Sequence, residues 1–306
     1  MKKFITPIIP AVVAVLAFVF LSFLSPKAAP RLKVEANNQN QNYKQTVHFV
    51  ALGDSLTQGV GDETNRGGFV PLVADSLKNE YGLSTVQTEN FGVSGERSDQ
   101  ILKRLNKDDE LQRSLESADM ITLTLGGNDL LQAFQKNMTA TSAKKFNSSI
   151  KKYQKNVEKI LTETRKLNKD APIYILGIYN PYYLNFPDID EMQQVVDNWN
   201  DATEELTGDT RNSYFVPVND LLYKGLPESS SDSSSESSTE ASTREFSKDS
   251  TEQTSGQTSE GTTVRNNVLY DGDNFHPNNL GYQLMANAVK EEMMETNDLW
   301  LLKERK

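Results

Sequence analysis

Two spacings of apolar residues alternate along this chain. Val47–Leu52 is rich in β-formers and ends at Gly53. Phe69–Tyr81 then places Phe69, Leu72, Val73, Ser76, Leu77 and Glu80 at helical spacing. Val86–Asn90, Met120–Leu125, Ile173–Ile178 and Tyr214–Val218 read as four further strands. Helical spacing recurs over Ile101–Leu115, interrupted near Asp108. It returns on one face through Phe146, Ile150, Tyr153, Val157, Ile160, Leu161 and Leu167. Ile189–Leu206, closing at Gly208, and Gly281–Glu295 complete the helices. Short strands separated by helices predict the α/β class, a three-layer α/β/α domain around a five-stranded parallel sheet. In such sheets the site lies at the carboxyl ends of the strands. The loops after Leu52, Asn90, Leu125, Ile178 and Val218 are therefore the places to look for chemistry.

Two stretches break this texture. After Met-Lys-Lys, an almost unbroken apolar run spans Phe4–Leu24. About 20 helical residues span roughly 30 Å, the hydrocarbon core of a bilayer. Residues 1–29 are expected to be a membrane anchor, or a cleaved signal segment. Cleavage after Ala29 would place Lys27 at −3 and Pro30 at +1, both poor, so the anchor is the preferred reading. Residues 30–44, rich in Asn and Gln, read as a polar tether, and 45–306 as the folded domain. Either way the domain is expected outside the cytoplasm, tied to the membrane or secreted. The second break is 228–263, dominated by Ser, Thr, Glu and Gly, with Phe246 its one aromatic residue. Such a stretch buries too little apolar surface to offset the entropy of ordering, and reads as a disordered insertion.

Composition then narrows the chemistry. The formal net charge is −10, and the insertion alone holds eight acidic against two basic residues. The acidity is thus largely local and does not suit a nucleic-acid partner. The chain has no cysteine, which excludes disulfides, thiolate zinc sites and a cysteine nucleophile. His48 and His276 are the two histidines. His48 lies inside the first strand and reads as structural.

The first strand leads into Gly53-Asp54-Ser55-Leu56-Thr57-Gln58-Gly59. A serine between strand and helix sits where an α/β sheet presents a nucleophile, although Ser55 alone also fits a helix N-cap. The second strand leads into Asn90-Phe91-Gly92-Val93-Ser94-Gly95, and the third into Gly126-Gly127-Asn128-Asp129. The last helix follows Asp271-Gly272-Asp273-Asn274-Phe275-His276-Pro277-Asn278. These four blocks, in this order, closely resemble the SGNH hydrolases, also called GDSL esterases and lipases. With its tether, the chain resembles the YpmR-like lipase/acylhydrolase branch of Gram-positive bacteria. The resemblance spans about Val47 to Glu295 apart from the insertion, and implies the flavodoxin-like SGNH fold.

The resemblance also implies a site. Ser55 is the expected nucleophile, His276 its general base and Asp273 the carboxylate orienting the imidazole, with Asp271 the alternative partner. The oxyanion donors implied are the N–H groups of Ser55 and Gly92 and the side-chain amide of Asn128. Asp54 and Asp129 read as turn residues. Tyr179, Tyr182, Tyr183 and Phe186 follow the fourth strand and either line an acyl or sugar pocket or pack the loop. The expected reaction is ester hydrolysis through an acyl-serine, with no cofactor and no metal. A deacetylase of envelope polysaccharide shares this triad, and a non-catalytic tethered binding module is the alternative of another class. A nucleotide binder shares the sheet, but the chain lacks a Gly-x-x-x-x-Gly-Lys-Ser loop.

Overall fold

A computed structural model describes residues 42–137, 142–180, 183, 190–226 and 266–303. The apolar run, the tether up to residue 41 and the insertion at 228–263 lie outside these residues, as do Tyr182 and Phe186. Among the described residues, no helix is long and apolar enough to cross a membrane.

Five strands form one sheet: β1 (Thr46–Gly53), β2 (Thr85–Gly92), β3 (Met120–Thr124), β4 (Ile173–Leu176) and β5 (Ser213–Val216). Their order is β2-β1-β3-β4-β5, and every neighbouring pair is parallel. The helices are α1 (Ser55–Gln58), α2 (Phe69–Tyr81), α3 (Ser98–Leu105), α4 (Asp109–Ser117), α5 (Gly127–Lys136), α6 (Asn147–Leu167), α7 (Asp190–Asp209), α8 (Asn219–Leu222) and α9 (Asn279–Glu295). The expected α/β/α architecture is what the chain adopts.

Alternation along the strands sorts the core into two layers. Val47, Phe49 and Ala51 of β1 join Tyr174 and Leu176 of β4 against α2, α9 and the C-terminal Trp300 and Leu301. Val50 and Leu52 join Ile121, Leu123, Ile173 and Ile175 against α3 to α7. Strands β3 and β4 are buried along their whole length, whereas the edge strand β2 is largely exposed. This is why β4 reads as an unbroken apolar run and β3 interrupts its apolar residues only with threonine.

Element ends differ from expectation where side chains compete with the backbone. The strand expected to reach Ile178 stops at Leu176, because the Ile178 N–H turns to Asn200 Oδ1 at 2.8 Å. The interruption near Asp108 is a new helix start, where that carboxylate accepts from the N–H of Glu110 and Leu111. Helix α7 runs through Gly208 rather than closing there. The tether also ends earlier than expected. Lys44 N donates to Leu301 O at 2.8 Å and Lys303 N to Asn42 O at 2.9 Å, fastening residues 42–44 to the C-terminal segment.

Candidate active site

The chain runs from β1 outward in opposite directions, to β2 on one side and to β3 on the other. A crevice opens at such a switch point, beyond the carboxyl ends of the strands. Here β1 delivers Ser55 and β3 delivers Asn128. Both line one crevice, together with Asp54, Leu56, Gly127, Leu130, Ile178, Tyr179 and Phe275.

The corner carrying Ser55 is cast in the core. Gly53 closes β1 against β3 so tightly that a Cβ there would lie 2.2 Å from Thr124 Oγ1. Asp54, 3% exposed, caps α1 by accepting from Leu56 N at 3.1 Å and from Thr124 Oγ1 at 2.8 Å. Thr124 Oγ1 also lies 2.8 Å from Thr57 Oγ1. Burial pushes the Asp54 carboxyl above the ordinary carboxylate range, although the bonds from Thr124 and Leu56 oppose it. Asp54 thus caps the helix, as its turn reading expected, and Ser55 is the first residue of that helix rather than its cap.

The loop carrying His276 builds itself. Asp273 Oδ1 accepts from the backbone N–H of Phe275 and His276, each at 2.9 Å. Its Oδ2 lies 2.6 Å from His276 Nδ1. A proton on Nδ1 directed at the carboxylate leaves Nε2 as the accepting nitrogen. Asp271 makes no such contact, so Asp273 is the imidazole's partner. Partial burial pushes the Asp273 carboxyl up, but the bonds from the His276 ring and from the His276 and Phe275 N–H groups outweigh it and hold it below the ordinary range. Ser55 Oγ and His276 Nε2 make no hydrogen bond with each other among the described residues. Contacts of this kind are often long without substrate and tighten in the reacting complex.

The expected donor at Gly92 is not free. Its N–H is taken by Asn90 Oδ1 at 2.9 Å, and a Cβ there would lie 2.1 Å from Gln58 N. Gly92 is a glycine because β2 packs against α1. Three residues on, the Gly95 N–H has no partner among the described residues. Gly95 sits in a turn tied to both flanks of the site: Ser94 N donates to Gln58 Oε1 at 2.7 Å, and Asn128 Nδ2 to Glu96 O at 3.0 Å. The Ser55 N–H, at the start of α1, is likewise unpartnered among the described residues. Arg104 braces this turn by bonding the Glu96 carboxylate at 2.7 Å and Gly53 O at 3.3 Å.

The other candidates resolve plainly. His48 lies on β1 beside Glu89 and Ser117, away from the crevice. Asp129 accepts from Ser98 N at 2.8 Å and Ser98 Oγ at 2.6 Å, holding the start of α3. Tyr179 lines the crevice, whereas Tyr183 packs on Tyr223 beside Lys224. Among the described residues, no group of three or more His, Asp or Glu side chains could hold a metal ion.

The sequence pattern of the GDSL-like Lipase/Acylhydrolase family matches residues 51–284. The chain belongs to that family. It is 30% identical over 246 residues to the uncharacterized protein YpmR of Bacillus subtilis (strain 168), covering 80% of this chain and 81% of that one. It is also 30% identical over 165 residues to the spore germination lipase LipC of Bacillus licheniformis, covering 53% and 75%. Two solved structures share the fold. The lipase Lip_vut3 from a goat rumen metagenome has a TM-score of 0.59 at 22% identity, covering 80% of this chain and 96% of that one. The acetyl-xylooligosaccharide esterase Axe2 of Geobacillus stearothermophilus has a TM-score of 0.51 at 18% identity, covering 85% and 97%. As a GDSL-family member, the protein is a carboxylic ester hydrolase.

Proposed function

We propose that this GDSL-family protein hydrolyses esters of short acyl groups through an acyl-serine intermediate. The observation that carries the reading is the His276 Nδ1–Asp273 Oδ2 contact of 2.6 Å, on the loop whose Phe275 lines the same crevice as Ser55. Ser55 Oγ attacks the ester carbonyl and its proton passes to His276 Nε2. Asp273 holds the ring and stabilises the imidazolium. The oxyanion is met by the N–H of Ser55, the Asn128 amide and the N–H of Gly95 in place of Gly92. Collapse expels the alcohol, which takes the proton from His276. Water then releases the acid by the same steps.

The crevice supports a short acyl group. Its walls are apolar (Leu56, Leu130, Ile178, Phe275) and its volume is about 30 Å³. On that measure one water needs roughly 10–15 Å³, so two or three heavy atoms fill it. This size also favours a second reading, removal of acetyl groups from envelope polysaccharide. The acetyl-xylooligosaccharide esterase of related fold adds weight to it. We place the domain at the outer face of the cytoplasmic membrane, held by Phe4–Leu24, on hydropathy alone.

One panel tests the reading. The purified full chain is assayed on p-nitrophenyl acetate, butyrate, octanoate and palmitate and on acetylated xylan, beside Ser55→Ala. Acetate and butyrate are expected to turn over fastest, and the variant not at all. A wild type that hydrolyses none of them and resists a serine-reactive phosphonate sinks the proposal. Turnover of acetylated xylan without that of the free acyl esters selects the polysaccharide reading. Protease accessibility of the domain on intact cells tests the location.

A further inference from the structure

The loop bearing Asp273 and His276 makes its own internal bonds, but something must hold it at the right distance from Ser55. Behind it the Leu269–Pro277 bridge and α9, which starts at Asn279, frame the loop, and its front faces the crevice. Tyr179 supplies a direct tie. Its hydroxyl donates to the carbonyl oxygen of Phe275, the residue before His276. Its ring, 7% exposed, forms a wall of the crevice that holds Ser55. The Tyr179 and Phe275 rings sit 6.2 Å apart, and the Phe275 ring stands edge-on to the His276 imidazole at 4.8 Å.

The tie is anchored at its root. Residues on both sides of Tyr179 are pinned by asparagine side chains from other elements. Asn200 of α7 clasps Ile178 twice, accepting from its N–H at 2.8 Å and donating to its carbonyl at 2.9 Å. Asn219 of α8 accepts from the Asn180 N–H at 3.1 Å. These bonds end β4 early and fix the backbone from which Tyr179 projects. A tyrosine serving only to fill the crevice would need neither the clasp nor the bond to Phe275.

We infer that Tyr179 is a positioning residue, a bolt from the end of β4 that sets His276 against Ser55 while its ring bounds the acyl crevice. The inference rests on the serine-hydrolase reading above. Tyr179 carries no proton in the reaction: burial raises its hydroxyl well above the ordinary tyrosine range, so it stays a neutral donor. Its part is geometric. Displacing a reacting group by about 1 Å can cost about 10²-fold in rate, and loss of one of several ties costs less.

Tyr179→Phe keeps the ring and removes the tie. Active sites of the full-length protein are titrated with a p-nitrophenyl phosphonate, and kcat and KM are measured on p-nitrophenyl acetate per titrated site. We expect kcat to fall by about tenfold with KM within about twofold, since the crevice wall is kept. Asn219→Ala, which loosens the root and leaves Tyr179 whole, is expected to lower kcat in the same direction by a smaller factor. It serves as the decisive variant if Tyr179→Phe does not fold. Wild-type kcat per titrated site in both variants, or a loss carried by KM alone, overturns the inference and leaves Tyr179 a packing residue. A wild type with neither turnover nor labelling overturns the hydrolase reading itself, and this inference with it.

Discussion

The nucleophile corner and the histidine loop bring chemistry to one crevice by opposite means. Ser55 stands on a corner buried between β1 and β3, where Asp54, Thr57 and Thr124 bond one another inside the core. His276 stands on a loop whose Asp273 is about one third exposed and whose bonds are mostly internal. The carboxylates show the contrast. Burial raises Asp54 above the ordinary range, whereas hydrogen bonds overcome burial and lower Asp273. One region holds its reactive group by packing, with a carboxyl under strain. The other holds it by local bonding, with a carboxylate at ease.

Activity is the strongest test, because both regions must fail together. Ser55→Ala and His276→Ala are each expected to lower kcat on p-nitrophenyl acetate by roughly 10⁶-fold, and the double variant by no more than either. Asp273→Asn removes the ring's orientation and is expected to cost roughly 10⁴-fold. Multiplying losses in the double variant would mean that the two regions do not serve one step. Asn128→Ala, which removes a donor between them, is expected to cost about 10²–10³-fold.

Stability should separate what activity joins. Thr124→Val strips Asp54 of a buried partner and is expected to destabilise by about 1–3 kcal/mol in chemical denaturation. Asp273→Asn changes a partly exposed site and should cost under about 1 kcal/mol. Equal losses would show the histidine loop to be as much a part of the core as the corner.

Part of this contrast was legible in the chain. The helix Phe69–Tyr81 and the five strands followed from spacing, because each element buries one face or both. The candidate roles of Ser55 and Asn128 came from blocks at strand ends and those of Asp273 and His276 from the block before the last helix, all read through the family resemblance. What was not legible is where side chains bond backbone. Asn90 takes the Gly92 N–H, so one glycine in Gly92-Val93-Ser94-Gly95 serves packing, and the other has an N–H without a partner among the described residues. Spacing cannot tell these apart. Nor could it show that Asn200 ends β4, or that Tyr179 reaches Phe275 from nearly a hundred residues away.

Titration should reveal the two carboxylates with opposite signs. A folded pKa raised above the unfolded value of about 3.9 gives stability that is greatest below that value and falls as pH rises through the folded pKa. Asp54 is in this class. A lowered folded pKa gives stability present above about 3.9 and lost as pH falls through the folded pKa, as for Asp273. Thermal melting from pH 2.5 to 8 is therefore expected to show Asp54→Asn gaining on wild type as pH rises. Asp273→Asn should lose its deficit as pH falls into the acid range. Parallel curves for either variant would remove that half of the contrast.

The smallest expected effect concerns what separates the two regions in sequence. The insertion at 228–263 lies between the sheet and the histidine loop, so its removal looks hazardous for His276. The hydrogen bonds at its borders argue otherwise. Leu226 N donates to Asn267 Oδ1 at 2.9 Å, and Asn267 Nδ2 donates back to Leu226 O at 3.2 Å. Asn266 Nδ2 reaches Leu222 O at 2.6 Å and Tyr223 O at 3.1 Å. The described residues on the two sides of the insertion are thus stapled to each other, and a short linker can join them without moving either. Closing a shorter loop also lowers the entropic cost, by about 0.6 kcal/mol for each halving. Replacing 228–263 with a short Gly-Ser linker is thus expected to leave kcat within about twofold and the melting temperature unchanged or slightly raised. A large loss of kcat with the fold intact would mean that the histidine loop depends on the insertion for its place, and that its local bonds are not enough.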